Sequence, residues 1–503
     1  MASVHQPPIS FSGGETMRRA AGMNRRFQEM SEKSYDAVIV GAGPNGLAAA
    51  ITLAAAGRTV LVLEQASEAG GGCRTGELTL PGYLHDVCSA IHPLGVSSPF
   101  FRSLNLEQYG LEWIFPPSQL AHPFDDGGIA VLDRSLEITA RGLGEDGKKY
   151  ERLMAPLLRD TDSLMKEILV PIRFPRHPFL MARFGLNALR TARGLASRFK
   201  TREARALLAG CAAHSMVPLD RAGTASFGMV LLLTAHAPGW PLARGGSRSI
   251  TEAMIRHLEK LGGEIRTSHP VRRLSDLPPH RAAMFDVTPR QMISIAGDAL
   301  PSIYRRRLQR FRYGPGVFKV DWALDGPIPW RSPQALKSAT VHVGGTLEEI
   351  EVSEAEAWNG KISERPFVLV AQQSQFDPTR APEGKQTGWA YCHVPAGSTV
   401  DMTAAIEKQI ERFAPGFSDR ILHRHTMNTH EIETHNPNMI GGDIGGGANT
   451  LTQVLGRPLF AWDPYSTPNE KIFLCSSSTP PGGGVHGMCG YSAAKSALKG
   501  ILS

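Results

Sequence analysis

DAVIVGAGPNGLAAAITLAAAGRTVLVLEQ, Asp36 to Gln65, is the segment from which the rest of the chain can be laid out. Val38, Ile39 and Val40 form a short apolar β-branched run that stops at Gly41-Ala42-Gly43-Pro44-Asn45-Gly46. An Ala/Leu-rich segment with helical spacing follows, and a second apolar run, Thr59 to Leu63, ends in Glu64. The pattern predicts strand, tight turn, helix and strand, with a carboxylate twenty-three residues after Gly41, where it would reach a ribose hydroxyl. That is a dinucleotide-binding βαβ unit. Gly41 is expected to allow the turn, Gly43 to let the backbone approach a pyrophosphate, and Gly46 to let the helix lie close on the strand. Pro44 and Asn45 start the helix, whose free N–H groups and positive dipole end would face the phosphates; Gln65 follows the acid.

With 503 residues the chain exceeds what one core supports, so two or three domains are expected. Its 42% hydrophobic and 20% charged residues are globular values, and no apolar run is long enough to span a bilayer. The net charge of +7 is unevenly placed: Arg173 to Arg205 holds nine Lys or Arg against the single acid Glu203, a surplus larger than that of the whole chain. No nucleic-acid recognition motif accompanies this charge, so no nucleic-acid partner is expected. Read as one helix, 180–205 puts Ala182, Leu186, Leu189, Ala192, Ala196 and Phe199 on one side and Arg183, Arg190, Arg198, Arg202 and Arg205 on the other. Such a face docks on an anionic membrane or forms the solvated side of a helical cap, and both readings stand. The six cysteines have no CxxC or metal-ligand spacing, which speaks for a reducing compartment, against a redox dithiol and against a metal site.

Residues 1–33 are polar, with Pro, Gly, Ser and scattered Arg, and lack the apolar core of a secretory signal. They are expected to be a flexible tail, or to reflect a later start at Met17 or Met23; a mitochondrial transit peptide is the alternative, against which Glu15, Glu29 and Glu32 count. The location expected is cytoplasmic, with membrane association through 180–205, or the mitochondrial matrix in a eukaryote.

Beyond Glu64, the cluster Gly70-Gly71-Gly72-Cys73-Arg74 resembles the second nucleotide motif of the glutathione-reductase-type FAD fold found in amine oxidases and phytoene desaturases. The resemblance implies a loop without side chains against the flavin's phosphates and ribityl chain, with Arg74 supplying charge. In Gly245 to Thr267, Ile250, Met254, Leu258 and Leu261 give one helical stripe ended by Gly262-Gly263, and a short strand follows. In the family such a pair leads to a valine whose backbone meets the adenine, here Val271, and Ala282 to Val287 running into Thr288 would pass under the cofactor. Only about ten residues separate Val271 from that strand, where many relatives insert a β-hairpin. At the C-terminus, Lys471 to Ala494 contains Pro480 to Gly484 and Gly487 to Gly490, and resembles the closing flavin motif of phytoene desaturases and retinol saturases. Gly482, Gly483, Gly484, Val485 and Gly487 are thereby expected at the flavin, with a helix beginning near Gly487 aimed at its N1 edge. The runs Asn436 to Gly447 and Asp377 to Tyr391 resemble the group of pyridine nucleotide-disulfide oxidoreductase domain-containing protein 2, a name promising a disulfide that the cysteine spacing does not support.

The resemblance implies an α/β fold: an FAD domain assembled from 34–90, 244–300 and 465–503, with 91–243 and 301–464 as a substrate and cap domain. Residues 76–243 are expected as helix and loop, and 311–430 as antiparallel sheet with a helix at Thr403 to Phe413. The expected activity is FAD-dependent hydride removal from an apolar, isoprenoid-like substrate, with oxygen, a quinone or NAD(P) as acceptor, since only one complete dinucleotide fingerprint exists. An FAD-dependent amine oxidase and a flavin-fold protein acting through protein interaction are the alternatives. Lys319 stands where amine oxidases keep a lysine near the flavin, and equally where a strand lysine pairs with Asp321. Tyr391 and His393 are expected in the pocket or as satisfied core residues, and His486 at the ring or substrate. Cys73 and Cys489 sit in no context that specifies a covalent tether.

Overall fold

The computed structural model describes residues 33–503, so the N-terminal tail, with its late-start and transit-peptide alternatives, lies outside the described residues apart from Lys33. Twelve strands build two sheets: β1 (Tyr35–Val40), β2 (Val60–Leu63), β3 (Ser118–Pro123), β4 (Ile129–Asp133), β5 (Glu264–Arg266), β6 (His280–Phe285), β7 (Gly316–Leu324), β8 (Ser338–Val343), β9 (Val368–Ala371), β10 (Gln386–Val394), β11 (Ile421–Met427) and β12 (Ile472–Leu474). The helices that position the site are α1 (Pro44–Ala54), α2 (Pro178–Ala188), α3 (Ala192–Ala196), α4 (Arg202–Ala213), α5 (Thr224–His236), α6 (Arg248–Lys260), α7 (Thr403–Phe413) and α8 (Met488–Lys499).

The first sheet is wholly parallel, in the order β12-β6-β1-β2-β5. Its strands read as unbroken apolar runs because both faces are covered. Ala37, Ile39 and Val62 face one core with α1, while Val38, Leu61, Leu63 and Phe285 face another. Helix α1 is buried from Asn45 to Ala54, and its small residues let α8 cross it closely. A side chain at Gly490 of α8 would stand 1.8 Å from the carbonyl oxygen of Asn45. The Ala-rich composition that marks α1 in the sequence is thus a packing requirement.

The second sheet has seven strands in the order β11-β7-β10-β9-β8-β3-β4; β8 and β3 pair in parallel and the other pairs are antiparallel. Phe318, Val320, Trp322 and Val341 on one face pack with Ile406, Ile410 and Phe413 of α7.

Two expectations change. Residues 76–243, expected mostly as helix and loop, also contribute β3 and β4 to the second sheet. All six residues of β3, Ser-Gln-Leu-Ala-His-Pro, are buried, so its polar side chains face packed interior and the alternation that signals a strand is erased. The basic segment 180–205 is not one helix but α2, α3 and the start of α4. Thr191 and Thr201 break it, each accepting an N–H hydrogen bond that caps a new helix, from Gly194 and Ala204. Ala192, Ala196 and Phe199 are buried as the periodicity predicts, but Ala182, Leu186 and Leu189 face outward.

Candidate functional site

A cavity of about 1220 Å³ lies between the two sheets. Its first wall is formed at the C-terminal ends of the parallel strands, where open α/β sheets bind their ligands. Gly41, Gly43, Pro44 and Asn45 line it from the β1–α1 turn, Glu64 and Gln65 from the end of β2, and Gly71, Gly72 and Arg74 from the following loop. Val271, and Asp286 and Val287 at the end of β6, complete that side.

The glycines divide their work differently from the sequence reading at one point. Gly41 has φ +104° and a Cβ there would approach the Asp286 carbonyl oxygen to 2.9 Å, so the turn requires it. Gly46 lies beneath the lining rather than in it; its Cβ would meet the Gly41 carbonyl oxygen at 2.0 Å. At Gly43 the space a side chain would fill is held by the Asp286 carboxylate, 2.9 Å away, and Gly71 closes on Gly43 so that a Cβ there would be 3.0 Å from its Cα. The bare backbone at 43 is needed first for strand β6 and the glycine loop to reach the turn. Asp286 accepts the Gly46 N–H at 2.8 Å, and burial pushes its carboxyl up to about 7, with Glu64 nearby adding to the rise.

Glu64 is oriented before any ligand arrives. Its carboxylate accepts the N–H groups of Ala42 and Ala66, each at 2.9 Å, and stands 3.6 Å from the Arg74 guanidinium. A carboxylate has about four acceptor positions, so two remain for a diol. Around this wall the buried Oδ1 of Asn45, Nε of Arg74 and Nε2 of His486 have no hydrogen-bond partner in the protein. Unpaired buried polar atoms are costly, and three of them on one cavity fit a polar, phosphate-bearing ligand. The residues present therefore fit a dinucleotide.

The tail loop reaches the same cavity. Gly483, Gly484, Val485 and His486 line it, whereas Gly482 packs against the Arg457 guanidinium and Gly487, at φ +67°, caps α8 among Ala48, Phe100 and Phe101. His486 accepts the Met488 N–H on Nδ1 at 3.0 Å, which leaves the proton on the buried Nε2, and burial lowers the imidazole to about 4 against the opposing pull of the Gly482 and Gly483 backbone. Thr288 does not line the cavity: it is the buried N-cap of the helix Pro289–Ala296, its N–H bound to Asn438 Oδ1 at 3.2 Å, and the neighbours Asp286, Val287 and Gln291 take the lining positions.

That asparagine belongs to a segment the site reading left out. Asn436 to Met439 and Asp443 to Gly446 line the cavity between the two ends of the chain. Asp443 accepts N–H groups from Gly314, Gly445 and Gly447, and Ser478 Oγ donates to the Gly446 carbonyl oxygen at 2.8 Å, tying this segment to the tail loop. An aspartate inside the glycine run Gly441 to Gly447 was the sequence signal.

The second wall comes from the seven-stranded sheet. Lys319 of β7 and Trp389 and Tyr391 of β10 line it. The Lys319 Nζ lies 5.7 Å from the Trp389 ring centre, and the Trp389 and Tyr391 rings meet edge to face at 5.1 Å. Lys319 is both things the sequence allowed: a cavity residue, 3% exposed, and the partner of the buried Asp321. Asp321 also contacts His85 at 3.6 Å and His425 at 3.4 Å, and the Lys319 ammonium helps hold its carboxyl below the usual range against the cost of burial. His393 is withdrawn from the cavity, its Nδ1 2.8 Å from Glu354 on the helix Leu347–Trp358. Beneath this wall Arg380 and Asp86, both inaccessible, pair at 2.8 Å.

Cys73 and Cys489 are buried away from the cavity, with thiols pushed up to about 12 by burial, and all six cysteines are unpaired. Among the described residues no cluster could hold a metal ion and no helix is long and apolar enough to cross a membrane.

Residues 39–105 match the family model described as an NAD(P)-binding Rossmann-like domain. Over 92% of both chains the protein is 26% identical to pyridine nucleotide-disulfide oxidoreductase domain-containing protein 2 of Rattus norvegicus. It is 25% identical to the phytoene desaturase of Fusarium fujikuroi over 71% of this chain and 66% of that protein. It is 31% identical to the all-trans-retinol 13,14-reductase of Danio rerio over 48% and 42%. Among solved structures, an oxidoreductase from Methanosarcina mazei superposes with a TM-score of 0.63 at 14% identity, covering 93% of this chain and 100% of that one. A putrescine oxidase bound to putrescine superposes at 0.60 and 18%, covering 93% and 99%. The chain shares the fold of these solved structures, and it is an oxidoreductase similar in sequence to a phytoene desaturase, a retinol reductase and pyridine nucleotide-disulfide oxidoreductase domain-containing protein 2.

Proposed function

We propose that the protein is an FAD-dependent oxidoreductase acting on an apolar, isoprenoid-like substrate. The observation that carries this reading is the composition of the cavity beyond the nucleotide wall. There Ile168, Leu169, Val170, Phe184, Phe227, Val230, Leu231 and Leu451 form an apolar arm continuous with the polar cradle. The acids on the lining are all engaged: Glu64 and Asp286 at the turn, Asp443 by three N–H groups, and Glu167 by the N–H of Arg176 and by His177. Beyond the nucleotide wall no carboxylate is left over to receive an ammonium group, which favours the apolar substrate over an amine.

In this reading the turn at Gly41 to Asn45 and the α1 N-terminus receive the pyrophosphate, Glu64 the ribose diol, Gly71, Gly72 and Arg74 the phosphates and ribityl chain, and Val271 the adenine. Gly483, Gly484 and Val485 give a backbone surface for the ring. FAD bound there supplies a hydride acceptor. The protein excludes water with the apolar arm and places Lys319, Trp389 and Tyr391 across the cavity. Burial keeps the His486 imidazole neutral through the physiological range, so the tail loop brings no ionised group to the ring surface. Reoxidation falls to oxygen, a quinone or a visiting nicotinamide, because a second dinucleotide fingerprint is absent from the sequence.

The test is anaerobic mixing of the purified protein with carotenoid precursors, retinoids and amines while the flavin's visible absorbance is followed. Bleaching by an isoprenoid supports the reading; bleaching by amines alone replaces it with the amine oxidase. A preparation that neither carries nor takes up FAD ends it.

A further inference from the structure

Redox chemistry on a C–C bond moves protons as well as hydride, and the apolar arm offers a proton no carrier. The seven-stranded sheet does. Lys319 and Asp321 lie on one face of β7, two residues apart. Strand β7 is flanked by β10, which brings Trp389 and Tyr391 to the cavity, and by β11, the edge strand, where His425 stands directly opposite Asp321. Exposure rises along this line: the Lys319 and Asp321 side chains are 3% and 0% exposed, that of His425 is 32% exposed. The contacts are continuous. Lys319, on the cavity lining, donates from Nζ to Asp321 Oδ2, and the same oxygen accepts from His425 Nδ1 at 3.4 Å. Three titratable groups in sequence thus join the cavity to solvent at the sheet edge.

The other ionisable groups around this line do not extend it. His85 lies 3.6 Å from Asp321 Oδ1 but is inaccessible, and burial lowers it to about 4. His435, near Arg74, Lys319 and His425, is lowered to about 4 mainly by burial, so both imidazoles stay neutral at physiological pH. Burial pushes the Cys88 thiol up to about 11, and Arg380 and Asp86 hold each other behind His85. Burial also works to raise the Asp321 carboxyl, but Lys319, His425 and His85 more than offset it and keep the carboxylate ionised. A pair that only braced the sheet would be complete with Lys319 and Asp321. His425 adds a ring whose second nitrogen, Nε2, has no hydrogen bond among the described residues and lies on the partly exposed edge strand.

We propose that Lys319, Asp321 and His425 form a proton path between water and the reacting atoms, with Asp321 and His425 acting through Lys319. The inference rests on the flavin reading of the cavity for what exchanges the proton. In delivery an Nζ–H bond of Lys319 breaks as its proton passes to the reacting atom. His425 gives its Nδ1 proton to Asp321 Oδ2, which passes it to Nζ, and Nε2 takes one from water. One proton leaves water, one arrives in the cavity, and no charge is left between. The ring then regains its Nδ1–H form by exchange with water. In desaturation the substrate loses one hydrogen as hydride to FAD and the other as a proton, which leaves by the same steps reversed.

Anaerobic stopped-flow reduction of the full chain with FAD bound, using dithionite as the electron donor, tests the path without a substrate. Dithionite gives two electrons as its sulfur goes to sulfite, and water supplies the proton that the reduced flavin takes up. His425→Ala, at the sheet edge, is expected to keep its melting temperature, to be reduced roughly tenfold or more slowly, to slow further in heavy water, and to recover in added imidazole. A second readout needs neither flavin nor turnover: nitrogen NMR of the histidine rings at about pH 8 should find the neutral His425 protonated on Nδ1, where a free imidazole side chain favours Nε2. A His425 ring protonated on Nε2 overturns the proposal, as does reduction of His425→Ala at the wild-type rate. Slowing that imidazole does not relieve overturns it too, leaving His425 a bracing role. Material that takes up no FAD is the separate failure of the cofactor reading.

Discussion

The two walls of the cavity are made of different material. On the nucleotide side the close approaches are between main-chain atoms or between main chain and one buried carboxylate: Gly43 on Asp286, Gly71 on Gly43, and Gly483 on Gly445, all at 2.8–3.0 Å for a hypothetical Cβ. On the sheet side the wall is side chain, and it hides charge: Lys319 with Asp321, Arg380 with Asp86 and His393 with Glu354 are almost inaccessible. A backbone wall tolerates no added atoms, whereas a charged wall tolerates no lost partner. Substitutions should separate these two modes of failure.

The largest effect is expected where one member of a buried pair is removed. Arg380→Met leaves Asp86 with the Thr75 hydroxyl, the Ser247 N–H and the Gln373 amide, and should cost about 3–5 kcal/mol in urea denaturation. A loss below about 1 kcal/mol would mean that the sheet-side charges are not carrying the wall, and would erase the contrast. Next comes the backbone wall. Gly46→Ala drives a methyl against the Gly41 carbonyl oxygen and is expected to cost about 1–3 kcal/mol or more and to abolish co-purification of flavin colour. Gly57→Ala is its control: at φ +76° with open space around it, it should cost only about 1 kcal/mol and keep the colour.

Another effect should divide the walls by sign when melting is followed against pH. Asp286 on the nucleotide side is raised in the folded state to about 7, so it binds a proton the unfolded chain has released. Its stabilisation is complete below the usual carboxylate range and is lost as pH rises toward 7. His85 under the sheet side is lowered by burial to about 4, so the unfolded chain binds the proton and stability falls as pH drops from 6.5 to 4. Asp286→Asn should flatten the first limb and His85→Gln the second. The smallest change is expected at the exposed pair Arg102 and Asp162, 2.7 Å apart, where Asp162→Asn should cost about 0.2–1 kcal/mol at most.

This contrast also explains how much of the molecule was legible beforehand. The turn at Gly41 to Gly46 could be read because a chain that must turn sharply and pass close to itself admits only glycine at particular places, the acid at 64 because of its distance from that turn, and the tail loop because its motif resembles that of the phytoene desaturases. Helix α7 came out with its bounds because a single covered face leaves a clean helical period. Strand β3 did not, since both its faces are buried, and Thr191 and Thr201 cut the basic segment with caps that periodicity alone does not weigh. His393 and Tyr391 have the same spacing pattern on one strand, yet Glu354 draws His393 into a buried pair while Tyr391 stays on the cavity. Arg380 and Asp86, 294 residues apart, had no local signature linking them.

By itself the sequence determined the parallel nucleotide-binding unit, its acid and the glycine-rich loops, because each is a local constraint on backbone conformation written into a few neighbouring residues. Only the tertiary structure decided which charges share a cavity wall and why Gly43 must be bare. Those outcomes depend on residues hundreds of positions apart meeting in a medium too poor in water to screen them.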